Sequence, residues 1–380
     1  MMHIALLIPT IDRIGGAEQQ VILIAKGLAR RGWKVTIVAL SGYGGPIAAD
    51  LAAAGADFIT LEMRKGLADP RGWLRFHRWL RHAQPDVVHA HLPHAAWLMR
   101  WSRLAAPVRV ALDTIHSWST GTTARRIGYR RSDWLADQVT AVSNSVADAW
   151  LSKNMVSTRT VTVMPNGVDV DVWKPDPLRR RSLRHKLGLT NEFLWLAAGR
   201  LEPVKDYPLL LRAFTRVPSP ARLIIAGAGP LESELRNLSH ELSLGARVRF
   251  LGFEPDIRTW MQAADGFVLS SRWEGLPMGL LEASACALPV VSTEAPGCSE
   301  IVVHGYTGLL SGVGDEKALA ASMTCLMRTS PRERRAMGER AQLMAMERFD
   351  LELVLSRWEA LYRNLLLRNQ SPVRWAHASS

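Results

Sequence analysis

Two glutamates in the run Ser270-Ser-Arg-Trp-Glu274-Gly275-Leu276-Pro-Met-Gly-Leu-Leu-Glu282-Ala are, by type and spacing, the residues best suited to chemistry. Glu274 falls in a Gly/Pro-rich loop, and Glu282 lies one turn into the helix expected after it. The two are therefore not a simple helical pair. The loop can carry one carboxylate to a sugar while the helix carries the other to a different part of the same ligand. A carboxylate accepts well from vicinal ribose hydroxyls. A second group is Gly199-Arg200-Leu-Glu-Pro-Val-Lys205-Asp206-Tyr-Pro208. It places two cations at the end of an expected strand, an arrangement suited to a pyrophosphate. Gly15-Gly16-Ala17-Glu18 stands at the matching point of the first half. Its glycines permit close backbone approach, and the helix start that follows favours an anion. Ala226-Gly-Ala-Gly229-Pro230-Leu231 is a third strand–glycine–helix junction. It either lines a nucleotide site or is a plain helix start with proline in its first turn.

These loops need strands and helices to hold them, and the apolar pattern supplies both. Strands are expected at Ile4–Ile8, Lys34–Leu40, Asp57–Leu61, Val87–Ala90, Arg109–Leu112, Gln138–Val142 and Thr160–Met164. Helical patterns such as Ala17–Arg30, Trp73–His82 and Ser145–Lys153 fall between them. After the Pro/Gly-rich stretch Pro165–Pro177, which reads as a linker, the alternation restarts. Strands are expected at Phe193–Ala198, Arg222–Ala226, Arg247–Leu251, Gly266–Ser270 and Pro289–Ser292. Helices fit Pro208–Arg216, Leu231–Leu242, Ile257–Ala264, Gly279–Ala287, Asp315–Met327, Pro331–Arg348 and Leu351–Leu367. Alternation of this kind predicts an α/β protein with parallel sheets covered on both faces. The expected domains are 1–170, 171–350 and a C-terminal helix and tail at 351–380 that packs back on the first. The halves share architecture without a detectable sequence repeat.

Composition narrows the function classes. Net charge is +12, and residues 1–175 carry +8 of it. Such a balance suits nucleic acid, anionic lipid or anionic small molecules. No nucleic-acid reading module accompanies it, so a basic nucleic-acid-binding protein is disfavoured. The apolar opening Met2–Pro9 reads as a first strand rather than a signal peptide, and no run reaches membrane-span length. A cytoplasmic protein, peripheral on the inner face of the cytoplasmic membrane, is the expectation. Cys286, Cys298 and Cys325 form no CxxC pair and read as small packed side chains. Asp169-Val-Asp171 has the spacing of an acidic metal pair but lies in the linker. His89-Ala-His91-Leu-Pro-His94 has ligand-like spacing without a carboxylate or cysteine partner, and reads as a loop lining the site.

The ordered series of motifs resembles the family-4 retaining glycosyltransferases of GT-B fold. It runs Gly15-Gly16-Ala17-Glu18, Val142-Ser143, Pro165-Asn-Gly-Val-Asp169, Gly199-Arg200…Lys205-Asp206, Ala226-Gly-Ala-Gly229-Pro230, Leu251-Gly252, Glu274-x7-Glu282 and Gly305-Tyr-Thr-Gly308. The resemblance covers nearly the whole chain. It implies two doubly wound Rossmann-like domains facing across a central cleft. It also implies that Arg200 and Lys205 hold the donor diphosphate, Glu282 the ribose and Glu274 the donor sugar, with Gly275, Leu276 and Gly229 lining the same site. Gly15 and Gly16 would approach the donor from the other domain, and His116, in Asp113-Thr-Ile-His-Ser117, would face the sugar. The catalytic set implied is Glu274, His116, Arg200 and Lys205. The expected reaction moves a hexosyl or N-acetylhexosaminyl group from a nucleoside-diphosphate sugar, with UDP favoured over GDP. The acceptor is a glycan or a lipid-linked glycan, in envelope or exopolysaccharide synthesis. No cofactor and no essential metal are expected. A GT-B-fold UDP-sugar epimerase is the alternative.

The basic N-terminal half offers an acceptor-side clue. On the helix over Trp73–His82 and its preceding turn, Arg71, Arg75, Arg78 and His82 share one face, with Trp73, Phe76 and Leu80 opposite. This is either an ordinary amphipathic helix or a face toward anionic lipid. Arg125-Arg126-Ile-Gly-Tyr-Arg130-Arg131…Trp134 is a second basic cluster in the same domain.

Overall fold

A computed structural model describes residues 1–12, 14–64, 69–106, 108–119, 121–158 and 161–369, leaving out the side chains of residues 124 and 125. The chain divides into two compact units: Met1–Gly167 together with Glu352–Ser380, and Val168–Leu351.

The N-terminal unit alternates strand and helix: β1 (His3–Ile8), α1 (Gly16–Arg30), β2 (Lys34–Ala39), α2 (Gly45–Ala53), β3 (Ala56–Thr60), α3 (Pro70–Ala83), β4 (Val87–His91), α4 (Pro93–Ser102), β5 (Val110–Ile115), α5 (Thr123–Arg131), β6 (Gln138–Ala141), α6 (Asn144–Leu151) and β7 (Val161–Val163). All seven strands are parallel, in the order β3-β2-β1-β4-β5-β6-β7. Every residue of β1, β4 and β5 is buried. Such continuous burial, without alternation, is what a parallel sheet covered on both faces requires.

The C-terminal unit repeats the plan: α7 (Pro177–Lys186), β8 (Phe193–Ala198), α8 (Tyr207–Thr215), β9 (Ala221–Ala226), α9 (Glu232–Glu241), β10 (Val248–Gly252), α10 (Ile257–Ala263), β11 (Gly266–Leu269), α11 (Met278–Ala285), β12 (Val290–Thr293), β13 (Gly308–Ser311), α12 (Glu316–Arg328) and α13 (Pro331–Phe349). Its six parallel strands are ordered β10-β9-β8-β11-β12-β13. In both sheets the strand order reverses beside the first strand. Right-handed crossovers then place helices on opposite faces on the two sides of that point. The C-terminal core gathers Trp195, Leu210, Phe214, Leu223, Leu319 and Met323.

The last helix, α14 (Leu351–Arg368), packs on the N-terminal sheet. Trp358 and Tyr362 are buried, and the His89 ring lies 4.7 Å from the Trp358 ring. Arg31 pairs with Glu352 at 2.6 Å and Glu359 at 2.7 Å, and the Trp33 indole donates to Glu359 at 2.7 Å. Gly27 faces Leu355 so closely that a Cβ there would fall 2.3 Å from its Cδ1.

Several sequence expectations change. Helices α2, α4, α5 and α7 and strand β13 join the elements named from the sequence. His89 and His91 belong to β4 and His94 to α4, rather than to a loop, because Pro93 opens a helix at a position that tolerates its missing N–H. The linker ends at Asp176, whose side chain accepts from Leu178 and Arg179 N–H to cap α7. Cys286 and Cys298 are buried, but Cys325 is exposed on α12. On α3, His77 is buried beside Phe76 and Leu80, whereas Arg75 is half-buried against Glu62. Arg71, Arg78, Arg81 and His82 remain exposed. The Arg125 side chain, Thr160 and the tail from 370 lie outside the described residues.

Candidate active site

In an open α/β sheet, ligands bind beyond the carboxyl ends of the strands where the order reverses. In the C-terminal unit that point lies between β8 and β11. The loops that leave these two strands carry Arg200, Lys205 and Glu274.

Those loops are stitched together through the backbone. Arg272 N–H donates to Val204 O at 2.8 Å. Ser270 Oγ donates to Lys205 O at 2.8 Å, and the Arg272 guanidinium donates to Asp206 at 2.8 Å. Asp206 adopts the left-handed conformation, φ 46°, which turns the chain from the Lys205 turn into α8. The result sets Lys205 Nζ 2.6 Å from Glu274 Oε1, and Ser271 Oγ donates to the same oxygen at 2.5 Å. Ser271 is wholly buried, and its carbonyl accepts from Thr293 Oγ1 at 2.6 Å. Glu274 N–H donates to Pro296 O at 3.0 Å. Gly297, at φ 86°, presses on the same loop: a Cβ there would lie 2.3 Å from Gly275 O. Glu274 is therefore fixed by three segments, and two donors hold one of its oxygens.

The third strand–glycine–helix junction braces the first loop. Leu201 N–H donates to Ala228 O at 3.1 Å and Leu231 N–H to Leu201 O at 3.1 Å. At Gly227, φ 144°, a Cβ would come within 1.9 Å of Gly199 O; at Gly229 it would come within 2.5 Å of Leu201 O. These glycines are thus required by the close packing of the two loops. Arg200 is exposed, with Glu202 3.2 Å away. Glu282 is buried in α11, and Leu276 is buried ahead of that helix. Burial, helped by the Glu274 charge, pushes the Cys298 thiol up to about 12. Cys298 is therefore a neutral packed side chain.

The N-terminal unit has its own reversal point, between β1 and β4. Gly15 caps α1, and its N–H donates to Glu18 Oε2 at 2.9 Å. The α1 start is therefore already served by an internal carboxylate. Gly16 is exposed at the first helical position. His116 follows β5, and its Nε2 lies 3.0 Å from Nδ1 of His91. Burial lowers His116 to about 4, so the ring is neutral near pH 7. His89 and His91 are held well below the usual histidine range, first by burial. Both His89 nitrogens are occupied, by Tyr362 Oη at 2.8 Å and Thr114 Oγ1 at 2.7 Å.

Strand β5 is anchored from below. Arg100 donates to Asp113 at 2.9 Å, to Tyr129 O at 3.1 Å and to Ser132 at 3.2 Å, all fully buried, and Tyr129 Oη donates to the second Asp113 oxygen. Gln20, also buried, clamps the Pro-Asn-Gly turn, giving 2.7 Å to Gly167 O and accepting 2.8 Å from Gly167 N–H. Asp169 Oδ1 accepts from the N–H groups of Asp171 and Val172 at 3.1 Å, so this acidic pair is a turn. Among the described residues no group of three or more His, Cys, Asp or Glu side chains could hold a metal ion.

The structure brings Lys205 and Glu274 into direct contact, with Gly275 and Leu276 continuing that loop and Gly229 bracing its neighbour. Arg200 stands in the same loop as Lys205 but turns to Glu202. Gly15, Gly16 and His116 belong to the other unit. Sequence reasoning gave no role to Ser271, Asp206, Arg272 and Gln20, and read His91 only as part of a loop lining the site. The first three adjoin singled-out residues, which was the available signal. Gln20 carried none, because its partner lies far along the chain.

Two parallel, doubly wound α/β units with this loop chemistry define a GT-B glycosyltransferase fold. Residues 14–172 match the model of Glycosyltransferase Family 4, and residues 179–344 match that of Glycosyl transferases group 1. The chain is 28% identical over 265 residues (66% of this chain, 68% of the relative) to the UDP-Gal:alpha-D-GlcNAc-diphosphoundecaprenol alpha-1,3-galactosyltransferase of Escherichia coli. It is 26% identical over 294 residues (74% and 75%) to the N-acetyl-alpha-D-glucosaminyl L-malate synthase of Bacillus anthracis. The crystal structure of Anabaena HepE with UDP and glucose superposes with a TM-score of 0.84 at 23% identity, over 96% of this chain and 100% of that one. The chain belongs to the family-4, group 1 glycosyltransferases, and it is a transferase enzyme.

Proposed function

We propose that the protein is a retaining glycosyltransferase. It moves a hexosyl or N-acetylhexosaminyl group from a UDP-sugar to a glycan or lipid-linked glycan acceptor in envelope or exopolysaccharide synthesis. The observation that carries this is the Lys205–Glu274 contact at the reversal point of the C-terminal sheet. It sets a cation for a departing diphosphate beside a carboxylate whose second oxygen remains for a sugar hydroxyl. UDP and a diphosphoundecaprenol-linked acceptor are favoured by the galactosyltransferase relative, and UDP by the HepE complex.

In the reaction we favour, the bond from the anomeric carbon to the leaving phosphate oxygen breaks. The acceptor oxygen bonds to that carbon on the same face, and its proton passes to the leaving phosphate. Arg200 and Lys205 neutralise the charge that develops on the diphosphate, work that elsewhere falls to a metal. Glu282 takes the ribose hydroxyls, Glu274 and the Gly275–Leu276 backbone the sugar, and His116 gives the sugar one hydrogen bond. Gly15 and Gly16 offer close backbone approach. A thermal-shift screen of UDP- and GDP-sugars tests the donor. UDP-sugars should raise the melting temperature equally with and without EDTA. A response to GDP-sugars alone, or one abolished by EDTA, would refute the donor or the metal-free reading respectively.

Acceptor access fits a peripheral membrane enzyme. Among the described residues no helix is long and apolar enough to cross a bilayer. Exposed Arg71, Arg78 and Arg81 accompany exposed Leu74 on α3, and Arg130 and Arg131 accompany exposed Ile127 and Trp134. Basic side chains with interfacial aromatics suit anionic headgroups. Flotation with vesicles should recover more protein on anionic than on neutral lipid at low salt. Equal recovery removes the electrostatic argument.

A further inference from the structure

The buried histidines of β4 are not used by the reading above, and their geometry has a consequence for His116. His91 is wholly buried, with Nδ1 3.0 Å from His116 Nε2 and with Nε2 lacking a hydrogen-bond partner among the described residues. One proton lies between the two rings, and there are two ways to place it. If His116 donates, His91 must carry its own proton on Nε2, where a buried N–H would stay unsatisfied. If His91 donates, only a lone pair is left bare. An orphaned buried N–H is the costlier and rarer defect. The His91 ring cannot easily turn to escape. His89 packs against it at 4.0 Å between ring centres, and His89 is itself held at both nitrogens by Tyr362 and Thr114.

We infer that His91 is a positioning residue: it donates from Nδ1 to His116 Nε2 and so fixes His116 as the Nδ1–H tautomer. His116 then presents a neutral N–H, a hydrogen-bond donor rather than an acid or base, to an oxygen of the substrate. The relevance to turnover rests on the placement of His116 in the donor site. The tautomer itself does not.

The test is two-bond proton–nitrogen correlation on the full-length protein labelled at histidine nitrogen, with a His116→Gln variant to assign the signals. The expected result is His116 protonated on Nδ1 and His91 protonated on Nδ1. In His91→Phe, which keeps a flat ring but has no N–H, His116 should move to a tautomer mixture. His91→Asn, whose carboxamide can replace the Nδ1 donor, should restore the Nδ1–H form. Turnover of the donor found in the thermal screen should fall about tenfold in the Phe variant, the scale of one neutral hydrogen bond, and at most about threefold in the Asn variant. Wild-type His116 protonated on Nε2, or an unchanged tautomer in His91→Phe, overturns the inference without any ligand present. Wild-type turnover in His116→Ala would instead remove His116 from the site and leave the tautomer result standing.

Discussion

The two units share one strand order up to the sixth strand, yet their reversal points are furnished differently. The C-terminal one is charged: Lys205, Glu274, Arg272 and Asp206 meet there in paired contacts. The N-terminal one gathers neutral rings, histidines whose protons burial has removed, beside a helix start whose N–H is already taken by the Glu18 carboxylate. The fully buried Arg100–Asp113 ion pair of the same unit serves to hold a strand. The same scaffold thus supports two kinds of work, one supplying fixed charge and the other shape and uncharged hydrogen bonds.

That contrast can be broken most strongly at its structural end. Asp113→Ala strands a fully buried guanidinium and should cost about 3–5 kcal/mol, seen as early melting of the N-terminal unit in thermal unfolding followed by circular dichroism. A loss under about 1 kcal/mol would mean that the buried pair does not organise β5. At the charged end, Lys205→Ala should lower turnover by about 10²–10³ with little change in melting temperature. Wild-type rates in both Lys205→Ala and Arg200→Ala would remove the diphosphate assignment.

The smallest effect sharpens the neutral end. The unfolded chain protonates His116 near its ordinary value of 6.5, whereas the folded protein resists until about 4. The folded state therefore binds fewer protons in between, and stability falls as pH drops through that window. His89 and His91 act in the same direction. Melting temperatures at pH 7 and pH 5 measure the difference, and His116→Gln should reduce it. An unchanged slope would show that His116 titrates normally.

The alternation of elements was legible because apolar runs and amphipathic stretches differ in period. What escaped had no such contrast. Helix α7 buries none of its residues, so no apolar stripe marks it. Helices α2 and α4 open with proline, which at a first turn looks like a loop signal. At the site, the residue types at 200, 205, 274 and 282 were readable from their surroundings. Contacts were not, because Lys205 and Glu274 meet only through sheet order, and His91 reaches His116 only because β4 and β5 are neighbours in register.

The return of α14 to the N-terminal sheet bears on biogenesis. The seats of Leu355, Trp358 and Tyr362 belong to a unit whose strands leave the ribosome before the C-terminal unit, yet their occupants are synthesised after it. The C-terminal unit can close on itself during translation, while the N-terminal one waits with an apolar trough unfilled. An N-terminal fragment ending at the linker would carry that trough into solution, and a C-terminal fragment would carry an amphipathic helix with nothing to cover it.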